Sequence, residues 1–174
     1  MTDHVAAWRT AGEAGDARAA VAALSEDVEL VSPLTDRFTF RGHRELEELL
    51  TSVFEVFTGI HYEAQFQDGQ HAVLRAAGHV GRLRLEETQY LDLDDEGRIR
   101  RLTLMMRPLT AATRFLRVLG PRVASRQGRP GTAGVLIVAG AWLDSVVAGG
   151  DRVFMPMASP DRSRRPVQVD RPPA

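Results

Sequence analysis

The sequence predicts an α+β fold in which N-terminal helices pack on one face of a curved antiparallel sheet, with extra C-terminal helices after it. Three observations predict this. Over residues 43–58 the apolar side chains Leu46, Leu49, Leu50, Val53, Phe54 and Phe57 recur at spacings of three and four, the period of a helix with one buried face. Four β-rich runs follow at 60–67, 70–80, 83–93 and 98–106, separated by Asp68-Gly69, Gly81-Arg82 and Asp94-Asp95-Glu96-Gly97, and short breaks of this composition turn hairpins. After Pro108 the helical spacing returns through Ala112, Leu116, Leu119 and Val123. Helices before a meander, rather than alternating with its strands, place this chain with α+β proteins.

In chain order, residues 3–14 form a first helix with Val5, Trp8 and Ala11 on one side, and Gly15 ends it. Asp16 is placed to cap a second helix marked by Ala20, Val21 and Leu24. Residues 28–33 alternate as a short strand, with Pro33 tolerable at its end, and 38–40 give another. Gly59 is expected to close the long helix. Gly120-Pro121 should kink or split the helix after Pro108, because proline lacks the N–H that a helix interior uses. Residues 131–150 are almost uncharged, with Asp144 alone breaking the run. They read either as a buried or interface helix or as a membrane-associated one, since the run reaches the length of a span but carries glycines and an acid. The last 20 residues hold five prolines and four arginines, a composition expected to stay disordered. The expected division is 1–107 for the α+β domain, 108–150 for a helical extension and 151–174 for the tail.

Composition removes several functions. The chain has 174 residues, 44% hydrophobic and 26% charged, with no cysteine, so disulfides, thiolate catalysis and cysteine metal sites are excluded. The net charge of −1 argues against binding nucleic acid through phosphate neutralisation. The charge is uneven: residues 1–107 carry −7 and residues 108–174 carry +6. Every basic residue is arginine, read as the codon bias of a GC-rich bacterial genome. The five histidines lack metal-ligand spacing, so no metal and no cofactor is expected. The N-terminus has neither the cationic start nor the apolar run of a signal peptide, which makes the cytoplasm the expected compartment.

The segments Ala7-Trp8-Arg9, Gly15-Asp16-Ala17-Arg18-Ala19, Leu24-Ser25-Glu26-Asp27-Val28-Glu29-Leu30 and Phe40-Arg41-Gly42-His43-Arg44-Glu45-Leu46 resemble the start of nuclear transport factor 2-like proteins. Tyr90-Leu91-Asp92-Leu93 leading through Asp94-Asp95-Glu96-Gly97 to Arg98-Ile99 strengthens the resemblance, which covers roughly residues 3–107. It implies a cone-shaped barrel and a homodimer. It also implies a small hydrophobic ligand, as in SnoaL-like cyclases, ketosteroid isomerases and epoxide hydrolases. The isomerase set is missing residue by residue. Ser32 stands where the resemblance would place the proton-moving carboxylate, Trp8 where it would place the first-helix tyrosine, and Gln89 where it would place a protonated aspartic acid.

A two-residue turn at Gly81-Arg82 sets Leu74, Ala76 and Gly78 opposite Gln89, Glu87 and Leu85. Carried across the next loop, this register adds Leu102, Leu104 and Met106 to the same face. That face is apolar except for Glu87 and Gln89. A glutamate among apolar side chains has its pKa raised, so Glu87 is the candidate catalytic acid or base, unless a bulge turns it outward or Arg100 pairs with it. Trp8, Ser32, Phe54, Phe57 and Gln89 are the candidate ligand contacts, with Gln89 equally readable as a satisfied core amide. The function expected is a pocket for a small hydrophobic molecule, with catalysis left open and Glu87 as the acid or base if the protein is an enzyme of the cyclase, isomerase or hydrolase kind. The alternative is a non-catalytic binding or interaction module whose C-terminal helix covers the pocket or meets a partner or a membrane through residues 131–150.

Overall fold

The computed structural model describes residues 3–33, 35, 37–126, 128, 130–153 and 155–157. Helix α1 (His4–Ala14) starts at Asp3, whose side chain accepts the Ala6 N–H, and ends at Gly15 in the left-handed region at φ 68°. Helix α2 (Ala17–Val21) is capped by Asp16, which accepts the Ala19 N–H at 2.9 Å, the role expected of it. Strands β1 (Leu24–Val31) and β2 (Thr39–Arg41) lead into α3 (Gly42–Val56). Helix α3 buries Leu46, Leu49 and Leu50 of the predicted stripe, leaves Val53 and Phe54 half-buried, and also buries Val56, which the stripe did not include. The helix stops before Thr58, however, and Gly59 already belongs to β3 (Thr58–Asp68). Strands β4 (His71–Val80), β5 (Leu83–Leu93) and β6 (Ile99–Arg107) complete the meander.

The six strands form one sheet in the order β2-β1-β6-β5-β4-β3. Its pairing is antiparallel except between β1 and β6, which run parallel. A parallel neighbour needs a long crossover, here everything between Val31 and Ile99. The β4–β5 ladder pairs Val80 with Leu83, Ala76 with Glu87 and Leu74 with Gln89. Across β5–β6, Leu91 faces Leu102, Gln89 faces Leu104 and Glu87 faces Met106. Both ladders follow the register read from the turns. The sheet curves without closing, since β2 and β3 stay at opposite edges. Register shifts in β3 between Thr58 and His61, and between Tyr62 and Ala64, add the local twist that bulges impose.

The core lies between this sheet and the helices, with Val5, Val28, Leu46, Leu74, Leu85, Leu91, Ile99 and Leu102 almost fully buried. The other sheet face is charged: Glu63 pairs with Arg75 and Arg84, and Glu86 with Arg75, Arg84 and Arg107. Phe66, Tyr90 and Met105 are exposed.

Helix α4 (Leu109–Arg126) runs through Pro121 in one span, so Gly120-Pro121 does not split it. Burial of Phe115, Leu119 and Ala124 against the core, together with helix α5 (Pro130–Val153) packed along it, offsets the lost backbone bond, worth about 3 kcal/mol. The close approach of the two helices is visible at Gly140, where a Cβ would stand 3.0 Å from the Arg117 Cα. Asp144, the acid that interrupts the apolar run, is buried and accepts from Arg114 Nε at 2.8 Å and Arg117 Nη1 at 3.0 Å. A buried carboxylate needs such partners, and here they fix which side of α5 faces α4. Ile137, Trp142 and Val146 consequently remain exposed. No described helix is long and apolar enough to cross a membrane. The expected tail is helical through Val153, makes a 3-10 turn at Met155–Met157, and beyond residue 157 lies outside the described residues.

Candidate functional site

The tight turn with Gly81 at φ 61° fixes the β4–β5 register. Glu87 and Gln89, two positions apart, must then project from the same, inner face of β5. Ala76 is the β4 partner of Glu87, and its small side chain leaves room above the carboxylate. Both polar residues are buried at 6% exposure.

Helix α1 completes the arrangement. Trp8 Nε1–H donates to Gln89 Oε1 at 2.7 Å. Because an indole N–H can only donate, this bond determines which end of the amide is oxygen. The Gln89 NH2 therefore points the other way, donating to Glu87 Oε1 at 2.5 Å and, more weakly, to the Tyr62 hydroxyl at 3.4 Å. No other described group bonds Glu87, and it takes part in no ion pair among the described residues. Burial pushes the Glu87 pKa up to about 7, with the Gln89 hydrogen bond acting against the rise. Arg100 is exposed on β6 and does not pair with Glu87, and no bulge turns Glu87 outward.

Tyr62 is a member of the cluster that the sequence analysis did not single out. Its hydroxyl would lie 2.8 Å from a Cβ on Gly12, so a glycine on α1 makes the space for it. The β3 irregularity frees the Tyr62 backbone N–H, which donates to Glu13 Oε1 at 2.9 Å. The Arg9 guanidinium lies 5.6 Å from the ring centroid and donates to Gln65 Oε1. Burial, then the charge of Glu87, raise the Tyr62 pKa above its ordinary value, so the phenol stays protonated. The usable signal in the sequence was the pair Gly12 and Tyr62, small against large, but nothing local couples residues 50 apart in the chain.

These groups form the floor of a cavity of about 950 Å3. Trp8, Ser32, Phe54, Phe57, Glu87 and Gln89, the six predicted site residues, all line it. Leu102, Leu104 and Met106 line it from β6, and Phe115, Leu119 and Val123 from α4. Its rim carries Arg44, Glu45, Glu48 and Arg126. Arg126 and Arg122 both pair with Glu55, which ties α4 to α3 at the opening. Among the described residues no cluster of histidine, aspartate and glutamate could hold a metal ion. An apolar cavity with a few convergent polar groups is suited to orienting one small molecule, and a carboxyl titrating near neutrality can give or take a proton.

No protein-family model matches the chain, and no curated protein matches it. Solved structures do. A steroid delta-isomerase from Pseudomonas aeruginosa is 26% identical, covers 72% of this chain and 92% of its own, and superposes with a TM-score of 0.65. An uncharacterised bacterial protein with a cystatin-like fold from Silicibacter pomeroyi is 23% identical over 72% of this chain and 86% of its own, with a TM-score of 0.64. A protein of ketosteroid isomerase-like fold from Catenulispora acidiphila, in complex with trimethylamine, is 16% identical over 69% of this chain and 94% of its own, with a TM-score of 0.53.

Proposed function

For a chain with the nuclear transport factor 2-like fold, we propose a pocket protein that takes up one small hydrophobic molecule and uses Glu87 to move a proton to or from it. The observation that carries this reading is a buried carboxyl without a cationic partner, titrating near neutrality on the wall of a cavity of about 950 Å3. Gln89 orients Glu87, and Trp8 orients Gln89. Phe54 and Phe57 supply apolar wall, and Ser32 a polar contact at its side. Reactions of the isomerase, cyclase or epoxide hydrolase kind fit such a site. The steroid isomerase set does not, because Ser32, Trp8 and Gln89 replace it. The trimethylamine complex of a fold neighbour supports a small ligand. The α+β domain ends at Arg107 in this reading, and α4 and α5 form an extension whose first helix walls the cavity.

The test is a panel of hydrophobic carbonyl compounds and epoxides, some bearing amino groups, assayed with wild type and Glu87→Gln. Turnover should fall by about 10² to 10⁴ in the variant, with the neutral compounds of the panel still bound. A base role makes the wild-type rate rise with pH through about 7, an acid role makes it fall. Turnover unchanged in Glu87→Gln removes Glu87 from the mechanism. Saturable binding without turnover of any compound favours the second reading, a non-catalytic binding module, which the walling of the cavity by Phe115 and Leu119 supports. The exposed outer sheet face with Phe66, Tyr90 and Met105 suits pairing with a second copy. Sedimentation equilibrium should therefore give twice the chain mass, and a single-chain mass at high protein concentration disposes of the homodimer.

A further inference from the structure

Glu87 differs from the other carboxylates that the fold takes out of water. Asp144, buried, holds two arginines, and Glu86, half-buried on the outer face, holds three. Glu87 holds none among the described residues. Its Oε1 is taken by the Gln89 amide, and no described side chain bonds Oε2. The cavity wall is apolar, with aliphatic side chains such as Leu102, Leu104 and Met106, and it includes the aromatic rings of Trp8, Phe54, Phe57, Tyr62 and Phe115. Aromatic faces attract cations and offer nothing to an anion. Among the described residues, the arginines that line the cavity, Arg44 and Arg126, sit at its rim and pair with Glu48 and Glu55.

We propose that the ligand of this cavity is a hydrophobic organic cation, an ammonium ion whose charged end lies against the Glu87 carboxylate while its apolar body fills the remaining space. This rests on the reading that the cavity receives one small molecule, and it adds the chemical class. A buried carboxylate is costly alone and is stabilised by an opposite charge in the same low-dielectric surroundings. The cation supplies what the protein withholds. A neutral ligand leaves that charge unmet, and an anionic one is repelled.

Charge at Glu87 depends on pH, and few other groups bear on it. Tyr62 faces it from β3, with Arg9 and Glu13 beyond the ring on α1. Strands β4 and β6 present Ala76 and Met106, and α3 and α4 present Phe54 and Phe115, with Arg44, Glu45, Glu48 and Arg126 at the rim. No histidine lines the cavity among the described residues.

The experiment titrates benzyltrimethylammonium, whose charge does not vary with pH, and its neutral carbon isostere neopentylbenzene into the full chain. Binding is read from the indole N–H resonance of Trp8, assigned with Trp142→Phe. Between pH 6 and pH 8 the ionised fraction of a carboxyl titrating at about 7 rises from roughly one tenth to nine tenths. The cation should therefore bind about tenfold tighter at pH 8, and the isostere should show no such gain. Glu87→Gln should lose at least tenfold in affinity for the cation and bind the isostere as before. Saturation by the isostere with no preference for the cation at pH 8 overturns the cationic class and leaves the pocket reading standing. A cation affinity equal at both pH values and in Glu87→Gln also overturns it. If neither probe moves the Trp8 resonance, the pocket reading falls and the cation with it.

Discussion

Glu87→Gln should stabilise the protein at alkaline pH by about 3 kcal/mol. The carboxyl is neutral in both folded and unfolded chains below its unfolded pKa of 4.5, and burial raises its folded pKa to about 7. The folded state thus binds the proton more tightly. Its contribution is fully present below pH 4.5 and is lost as pH rises to about 7, at roughly 1.4 kcal/mol for each unit of difference. Glutamine has nothing to ionise and can still accept from the Gln89 amide, so the variant escapes the loss. Urea unfolding of both proteins at pH 4.5, 6 and 8 isolates this term, because every other titrating group cancels in the difference. Equal stability at pH 4.5, with the variant ahead at pH 8, is the expected pattern. A difference that does not change with pH means that water reaches the ionised carboxylate freely. The destabilisation is what keeps a titratable group in an apolar site near neutral pH, a common property of functional positions.

Gly78→Ala should cost about 3 kcal/mol, the upper end of the usual penalty for over-packing a core. Gly78 is buried on β4, and a Cβ there would stand 2.6 Å from Phe57 Cε2 and 2.9 Å from the Thr58 carbonyl oxygen. The ring can give way only towards the cavity that it lines, and the carbonyl belongs to the neighbouring strand. Urea unfolding measures the loss, with Gly131→Ala as the control. Gly131 lies in the first turn of α5 with nothing within 4 Å of its would-be Cβ, and alanine there should change stability by no more than about 0.5 kcal/mol. A loss below about 1 kcal/mol for Gly78→Ala means that Phe57 is held loosely, and with it that wall of the cavity.

Most of the site floor was legible in the sequence because it depends on local rules. A two-residue turn at Gly81-Arg82 sets the pairing of β4 with β5, and strand alternation then puts Glu87 and Gln89 on the apolar face. Leu46, Leu49 and Leu50 gave α3 its buried side by the same kind of short-range periodicity. Tyr62 escaped this reasoning because two irregularities in β3 break the alternation on which it rests.

What the sequence determined by itself was the α+β order of elements, the hairpin register, and an apolar sheet face interrupted by Glu87 and Gln89. These follow from turn geometry and from periods of two and of three to four, which act over a few residues. Only the tertiary structure decided that β1 lies parallel beside β6, that Trp8 fixes the Gln89 amide 81 positions away, and that Asp144 turns α5 onto Arg114 and Arg117. Those outcomes are pairings between distant segments. Their partners are chosen by packing and by the cost of leaving a buried polar group unsatisfied, and neither is written in local spacing.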